Sequence, residues 1–265
     1  MHYALVKDTL IPVRFAPSHK SEMTDQILFG EFFEIFDQQE EWSFIKNKFN
    51  NYTGWINNKH RYSVISEDLY RNIPDNSCKI TTTPYSQVKN DSDSTTLVVP
   101  GGSVLPNFDR ENSNFYIDKE RFMLTSHSPV EVPGNNARKK ILAFAEQYLH
   151  TPYLWGGKTI FGMDCSGFIQ IIFRMMDIHI SRDSSEQVTY GETVGFLEQA
   201  QPGDLIFFDD EEGNITHTGI LMNSHEIIHA SGRVRKDLID HQGIYNRETR
   251  KYTHKLRIIK NFLKK

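Results

Sequence analysis

The pattern of hydrophobic and polar residues divides the chain into parts with different periods. In the first part, short apolar runs alternate with polar positions at a period of two, and turn-forming clusters separate them. Examples are Tyr3–Val6, Phe32–Phe36 and Trp42–Lys46. Gly30 and Gly54 fall where a small barrel would turn its corners. The pattern therefore predicts two small β-barrels in tandem.

The period changes near Val130–Asn136, where a Pro-Gly pair ends the strand-like pattern. We also expect a short helix at Ser66–Ile73 between the barrels and a polar insert at Lys89–Thr96 in the second barrel. The predicted domains are residues 1–62 for the first barrel, residues 63–132 for the second, and residues 136–265 for a third domain.

The third domain begins with helices. Apolar residues recur at helical spacing from Ile141 to Leu149, and a second helical stripe begins directly after Asp164. Four strand-like runs follow, at Asp204–Phe208, His217–Met222, Glu226–Ala230 and Thr253–Ile259. Helices followed by an antiparallel sheet form an α+β arrangement, so we predict the α+β fold class.

The composition of the 265-residue chain narrows the choice of partners. Its formal net charge is -4 with both signs interspersed, which does not indicate nucleic-acid binding. No stretch approaches the roughly 18 apolar residues that span a bilayer. Met1–Pro12 alternates apolar and polar residues, which predicts a first strand and not a signal peptide. As the sequence stands we expect a cytoplasmic monomer with a small or peptidic ligand, although an exported protein trimmed of its leader would show the same pattern.

The spacing of cysteine and histidine argues against a disulfide scaffold and a metal centre. Cys78 and Cys165 are far apart and encode no disulfide framework. Cys-x-x-Cys does not occur. His225-Glu226-Ile227-Ile228-His229 has the His-Glu-x-x-His spacing, but it falls at a predicted turn and strand and not on the helix that such a zinc site requires. We therefore expect no metal and no organic cofactor, and we interpret Cys78, in a polar loop with Asp75–Ser77, as an incidental free thiol.

Cys165 is placed at the start of the second predicted helix. The unpaired N–H groups and partial positive charge of a helix N-terminus favour thiolate and lower a thiol pKa. A single cysteine is more often a small buried hydrophobe, but the local sequence Asp164-Cys165-Ser166-Gly167 favours a nucleophile. Cys165 is therefore the candidate for nucleophilic chemistry.

Two of the eleven histidines, His217 and His229, lie inside apolar strand-like runs. A turn at Asn223-Ser224 makes their strands a hairpin, and an odd-length loop places the two residues directly opposite on one face. A one-residue slip would put them on opposite faces. The alternative is a pair of core histidines bonded to backbone groups.

Six short motifs come in the order seen in one known family. They are Tyr153-x-Trp155-Gly156-Gly157, Asp164-Cys165-Ser166-Gly167, Arg182-Asp183-Ser184, Pro202-Gly203-Asp204-Leu205, His217-x-Gly219 and Ile228-His229-Ala230-Ser231. Together they resemble the NlpC family of bacterial cell-wall cysteine peptidases, which have a circularly ordered papain-like core. The resemblance covers nearly all of residues 140–235.

The upstream barrels are similar to bacterial SH3-type domains, on the strength of Leu28-Phe29-Gly30-Glu31, Trp42 and Tyr52-x-Gly54-Trp55-Ile56. The whole layout resembles the γ-D-glutamyl-L-diamino acid endopeptidases of muropeptide recycling. The resemblance implies a papain-like domain behind two SH3-like barrels that narrow its cleft. It also implies a muropeptide substrate of the form L-Ala-γ-D-Glu-diamino acid.

The resemblance implies a role for each motif residue. Cys165 is the nucleophile, His217 the general base and acid, and His229 the residue that orients His217. Tyr153 aligns with the family's tyrosine beside the oxyanion hole, and Trp155 lines the substrate site; plain aromatic packing is the alternative for both.

A carboxylate beside the nucleophile disfavours thiolate, so Asp164 calls for a compensating cation. The resemblance supplies one, the free α-ammonium of the substrate's L-alanine, and a simple helix N-cap is the alternative. Four further residues are assigned to substrate binding on the same basis: Ser166, Ser184, Glu31 and Tyr52. The alternatives are caps or turn residues for the two serines, an exposed acid for Glu31 and a barrel aromatic for Tyr52. Arg182-Asp183 is interpreted as a local structural pair outside the site.

The sequence thus predicts a cysteine endopeptidase that hydrolyses the γ-D-glutamyl–diamino acid bond through a thioester. Two alternatives stay open. One is a peptidoglycan-binding protein with an inert catalytic domain, against which the intact set of Cys165, His217 and His229 argues. The other is a thioester acyltransferase on the same fold.

Overall fold

The computed structural model describes residues 2–72, 78–126 and 136–263. Two compact units are present: Met1–Pro129 with Trp155–Gly157, and Val130–Leu154 with Lys158–Lys265. All but the last residue of the predicted boundary at Val130–Asn136 lies outside the described residues, as does Ile73 at the end of the predicted connector.

The first unit opens with a seven-stranded antiparallel sheet. Its strands are β1 (His2–Val6), β2 (Leu10–Arg14), β3 (Met23–Leu28), β4 (Phe32–Gln38), β5 (Trp42–Asn47), β6 (Thr53–Asn57) and β7 (Tyr62–Ile65). Their order is β3-β2-β6-β5-β4-β1-β7, so the first sheet extends past the predicted boundary at residue 62. The predicted strands are confirmed, and their alternation buries an aliphatic cluster that includes Ile11, Val13, Ile45 and Ile56.

Glycine is required at one corner of this sheet. Gly30 has φ +74°, and a Cβ there would lie 1.9 Å from the carbonyl oxygen of Val104. The positive φ and the close backbone approach explain why glycine occupies this corner.

Two smaller sheets complete the first unit. The elements are α1 (Glu67–Asn72), β8 (Cys78–Ile80), β9 (Tyr85–Asn90), β10 (Thr96–Pro100), β11 (Val104–Pro106), β12 (Asn114–Ile117) and β13 (Glu120–Ser126). The sheets have the orders β10-β9-β13-β12 and β11-β8. The polar insert predicted at Lys89–Thr96 is the turn of the β9–β10 hairpin. Cys78 begins β8 and packs against the core, so its predicted place in a polar loop is wrong.

The second unit has helices first and an antiparallel sheet afterwards, which confirms the predicted α+β class. Its elements are α2 (Ala137–Glu146), β14 (Lys158–Thr159), β15 (Gly162–Met163), α3 (Cys165–Met175), α4 (Ser184–Gln187), β16 (Glu192–Val194), β17 (Leu205–Asp209), β18 (Ile215–Asn223), β19 (Glu226–Ser231), β20 (Arg233–Asp240), β21 (Gly243–Asn246) and β22 (Lys251–Asn261). All four predicted strand runs are present. The pattern missed β20 and β21, because the charges of Arg233–Asp240 hide the alternation.

Six strands of the second unit close into a barrel. β22 pairs with both β17 and β21, which gives the closed order β22-β17-β18-β19-β20-β21, and β16 adds to β22. The barrel is filled by an apolar cluster of Ile206, Phe208, Leu221, Ile227, Ile239, Ile244 and Ile259. Helix α3, buried along its whole length, packs on strands β18 and β19 of this barrel.

Within residues 2–72, 78–126 and 136–263, no helix is both long and apolar enough to cross a membrane. Over those same ranges, no group of three or more His, Cys, Asp or Glu side chains is arranged to hold a metal ion. Cys78 and Cys165 do not form a disulfide.

Candidate active site

Cys165 is the first residue of α3. Asp164 caps the helix, with its side chain accepting from the backbone N–H of Gly167 at 2.7 Å. Burial, followed by the charge of Asp164, raises the pKa of Cys165 to about 12, although the backbone N–H groups of Thr218 and Ser166 hydrogen-bond to the thiol and oppose the rise. The predicted lowering of the thiol pKa by the helix N-terminus is therefore wrong, because desolvation outweighs it.

Asp164 is already paired with a cation of this chain. Arg182 donates from Nη2 to Oδ2 of Asp164 at 2.6 Å and from Nη1 to Oδ1 at 3.0 Å. The same Nη1 donates to the Ser166 hydroxyl at 2.9 Å, and all three side chains are buried. The interpretation of Arg182 as a residue outside the site is therefore wrong, and so is the premise that Asp164 lacks a compensating cation.

Helix α4 is tied to the start of α3. Gln187 donates from its side-chain amide to the carbonyl oxygens of Ser166 at 3.0 Å and Ser181 at 2.9 Å. Ser184, the first residue of α4, is buried. Ser166 and Ser184 thus lie on helices joined by Gln187, on which the sequence made no prediction.

His217 on β18 and His229 on β19 are joined by a hydrogen bond of 2.8 Å between Nε2 of His217 and Nδ1 of His229. They are not directly opposed as predicted, because His229 is paired with Gly219. The turn lies one residue later than expected, between Asn223 and Glu226, and this moves the register by two residues. An even shift keeps both histidines on one face, so they are diagonal neighbours.

Gly219 makes room for this diagonal contact. A Cβ at residue 219 would lie 2.9 Å from Cβ of His229 and 2.8 Å from Cδ1 of Ile227, which is closer than ordinary packing allows. The glycine of the His217-x-Gly219 motif is therefore explained by packing. Helix α3, which begins at Cys165, packs on β18, and the backbone of Thr218, between His217 and Gly219, acts to lower the pKa of the Cys165 thiol.

Two residues to which the sequence analysis assigned no role in the site complete the cluster. Asp237 on β20 lies 3.1 Å from Nε2 of His229, measured at Oδ2, and the ring of His254 on β22 stacks on His217 with centroids 4.0 Å apart. Burial, with smaller contributions from His229 and His254, holds the pKa of His217 well below its usual range. Burial also lowers the pKa of His229, against the opposing effect of Asp237. Both imidazoles are therefore neutral at physiological pH.

Tyr153 lies in the same unit as Cys165. Its backbone N–H donates to the carbonyl oxygen of Gly232 at 3.0 Å. Tyr153 also forms an isolated parallel β-bridge with Met163, which lies just before α3. Burial, followed by the charges of Cys165 and Asp164, raises the pKa of Tyr153 to about 12. The phenol thus keeps its proton and can donate a hydrogen bond.

Trp155, Glu31 and Tyr52 belong to the first unit. Trp155 is exposed, and its indole N–H donates to Glu22. The buried carboxylate of Glu31 accepts from the backbone N–H of Leu28 at 3.0 Å and from the side chain of Asn47 at 2.9 Å. Tyr52 is half-buried. The assignment of these three residues to substrate binding stays a prediction.

Known families match two parts of the chain. Residues 150–256 match the NlpC/P60 family, and residues 13–60 match the bacterial dipeptidyl-peptidase Sh3 domain. The γ-D-glutamyl-L-lysine dipeptidyl-peptidase of Bacillus subtilis is 33% identical over 153 residues, which is 55% of this chain and 51% of that protein. The probable endopeptidase NlpC of Escherichia coli is 39% identical over 83 residues, 31% of this chain and 53% of that protein.

The chain thus spans about half the length, or less, of the curated relatives it matches. The crystal structure of an NlpC/P60 family protein from Bacillus cereus aligns with 99% of this chain and 100% of that one, with a TM-score of 0.80 at 18% identity. Together with the family matches, that likeness confirms the predicted NlpC-type fold with an SH3-like β-rich region before it. The chain therefore carries a bacterial SH3 domain followed in the sequence by an NlpC/P60 domain, and it is homologous to the γ-D-glutamyl-L-lysine dipeptidyl-peptidases.

Proposed function

We propose that the protein is a cysteine endopeptidase that cleaves the γ-D-glutamyl–diamino acid bond of cell-wall muropeptides with a free N-terminal L-alanine. One observation carries this proposal. The thiol of Cys165 lies at the start of helix α3, which packs on β18, the strand that carries His217. The buried imidazole of His217 is hydrogen-bonded to that of His229. Relatives named γ-D-glutamyl-L-lysine dipeptidyl-peptidases support the choice of bond.

In the proposed reaction the thiol and the imidazole both start neutral, since burial raises the pKa of Cys165 and lowers that of His217. His217 takes the thiol proton as the sulfur attacks the γ-carbonyl of D-glutamate. The oxyanion that forms accepts hydrogen bonds from the Cys165 backbone N–H and the Tyr153 hydroxyl. His217 then protonates the amine of the diamino acid, and the C–N bond breaks to leave a thioester. Water, deprotonated by His217, releases the acyl dipeptide and restores the thiol.

Substrate binding is proposed to involve Asp164, Ser166, Ser184, Trp155, Glu31 and Tyr52. Because Arg182 already neutralises Asp164, an ammonium there would share the carboxylate with a guanidinium. The contribution of Asp164 to amine recognition is then smaller than that of an unpaired carboxylate. The free-amine requirement therefore rests more on the whole set of residues than on Asp164.

Incubation of the wild type with L-Ala-γ-D-Glu-L-Lys, and separately with the diaminopimelate peptide, tests the proposal by mass spectrometry. We expect the dipeptide and the free diamino acid. N-acetylation of the alanine should lower kcat/KM by roughly 30-fold or more, about 2 kcal/mol, because it removes the charge and adds bulk.

Cys165→Ser should be inactive and Cys78→Ser fully active. Binding of the peptide without cleavage would indicate the inert binding protein, and a conjugate with an added amine would indicate an acyltransferase. Equal cleavage of the acetylated peptide would overturn the free-amine requirement.

A further inference from the structure

A polar chain continues beyond the two histidines into the barrel. His217, His229 and Asp237 lie on the adjacent strands β18, β19 and β20, and the register advances by two residues at each step: Gly219 is paired with His229, and Ile227 with Asp237. Each contact is therefore a diagonal one on the same face of the sheet. The hydrogen-bond distances along the chain are 2.8 Å and 3.1 Å.

Asp237 is held on its other sides by donors. Arg235 donates from Nη2 to Oδ1 at 3.0 Å, its Nε lies 2.7 Å from Oδ2, and the backbone N–H of Arg247 donates to Oδ1 at 3.4 Å. Glu248 in turn accepts from Nη1 of Arg235 at 2.9 Å. Burial would raise the pKa of Asp237, but hydrogen bonds from His229 and Arg235 outweigh it and lower that pKa. The carboxylate is thus ionised and can only accept.

We propose that Asp237 is a positioning residue that fixes the tautomer of His229 and, through it, the tautomer of His217. A carboxylate at Nε2 of His229 requires the proton on that nitrogen. Nδ1 of neutral His229 is then bare and accepts from Nε2–H of His217. This leaves Nδ1 of His217 bare, and a bare nitrogen is what a general base needs to take a thiol proton. The catalytic role of His217 rests on the function proposed above, whereas the two tautomers do not.

The tautomers can be measured on the wild type without any substitution. Long-range ¹H–¹⁵N correlation spectra of ¹⁵N-histidine protein, assigned with single histidine variants, distinguish the protonated from the bare ring nitrogen. We expect Nε2–H on both His217 and His229. A proton on Nδ1 of His229 would overturn the proposal, whether or not the protein cleaves the muropeptide.

Asp237→Asn is the corresponding variant. Its single carbonyl oxygen should turn to the N–H groups of Arg235 and Arg247, which leaves the amide NH2 facing His229. Both imidazoles would then adopt the opposite tautomer. We expect kcat to fall on the order of 10²-fold with little change in KM. This loss is smaller than the about 10⁴-fold loss that follows when the substituted carboxylate is bonded directly to the catalytic histidine and that histidine adopts the wrong tautomer.

Two further variants separate positioning from structure. Asp240→Asn, which removes another carboxylate from β20, should leave kcat and the tautomers unchanged. In a His229→Asn background, where an amide without tautomers accepts from His217, Asp237→Asn should lower kcat no further. The proposal would be overturned if Asp237→Asn left the tautomers and kcat unchanged. It would also be overturned if Asp237→Asn lowered kcat by the same factor in the His229→Asn background as in the wild type. A wild type that shows the expected tautomers but cleaves no muropeptide would contradict only the proposed function.

Discussion

The first sheet and the closed barrel of the second unit are built from the same period-two pattern but fill their interiors differently. The first sheet covers a cluster of aliphatic side chains that includes Ile11, Val13 and Ile45. The second-unit barrel has a similar apolar cluster, yet on the same face as its apolar residues it carries His217, His229 and Asp237. A buried polar side chain at an inward position requires a hydrogen-bonding partner. Here each polar residue is the partner of the next.

The difference shows what a polar residue in an apolar run indicates. A single such residue could be satisfied by backbone, and this was the open alternative for both histidines. A diagonal series over three adjacent strands needs three side chains placed in register, which packing alone does not require. The interior of the second-unit barrel thus combines an aliphatic cluster, which stabilises it, with a hydrogen-bonded polar chain to which we assign the proposed chemistry.

The largest expected effect distinguishes the two histidines of that chain. His217→Ala should reduce kcat/KM on the order of 10⁴-fold or more, because it removes the base, and His229→Ala about 10²-fold, because it removes only the orienting group. Steady-state kinetics with the tripeptide would measure both, and circular dichroism would verify folding. Equal losses would contradict the assignment of base and orienting residue.

The fold could be predicted, and the candidate site residues proposed, because each had a local sequence signal. Strands were found by alternation, α3 by its apolar stripe, and Cys165 by the residues beside it. Asp237 could not be found in this way, since β20 carries charges at most of its positions and its alternation is concealed. An acidic residue on the strand after His229 is the signal that could have been used.

Other errors arose from interactions that sequence spacing does not show. The ion pair between Asp164 and Arg182 joins two residues that lie 18 positions apart in the sequence. The effect of burial on the Cys165 thiol also depends on tertiary packing, and it exceeds the local effect of the helix N-terminus. The hairpin register depended on a turn that lies one residue away from where the sequence places it.

An intermediate effect is expected from the ion pair beside Cys165. Asp164→Asn should lower the free energy of unfolding by about 3–5 kcal/mol, because it leaves the buried guanidinium of Arg182 without its counter-charge. Urea denaturation would measure the loss. The double variant Asp164→Asn/Arg182→Met should lose less than the sum of the two single changes, and strict additivity would contradict the pairing.

The smallest effect compares a strand glycine from each region. A Cβ on Gly219 would press on Cβ of His229 at 2.9 Å, whereas a Cβ on Gly54 would press on Cγ1 of Val13 at 2.5 Å and on the carbonyl oxygen of Arg14 at 2.9 Å. Both Gly219→Ala and Gly54→Ala should therefore lower the free energy of unfolding, each by about 1–3 kcal/mol, since neither neighbourhood can accept an added methyl group without shifting.

Their effects on activity should differ. Displacement of His229 disturbs the orientation of His217, so Gly219→Ala should lower kcat roughly tenfold even at temperatures where the protein is fully folded. Gly54→Ala displaces only aliphatic packing and backbone in the first sheet, so the folded fraction should keep the kcat of the wild type. Kinetics measured well below the unfolding temperature of each variant would show this. An equal loss of kcat in both variants would mean that strain in the first sheet also reaches the catalytic cluster, and the functional contrast between the two regions would then be wrong.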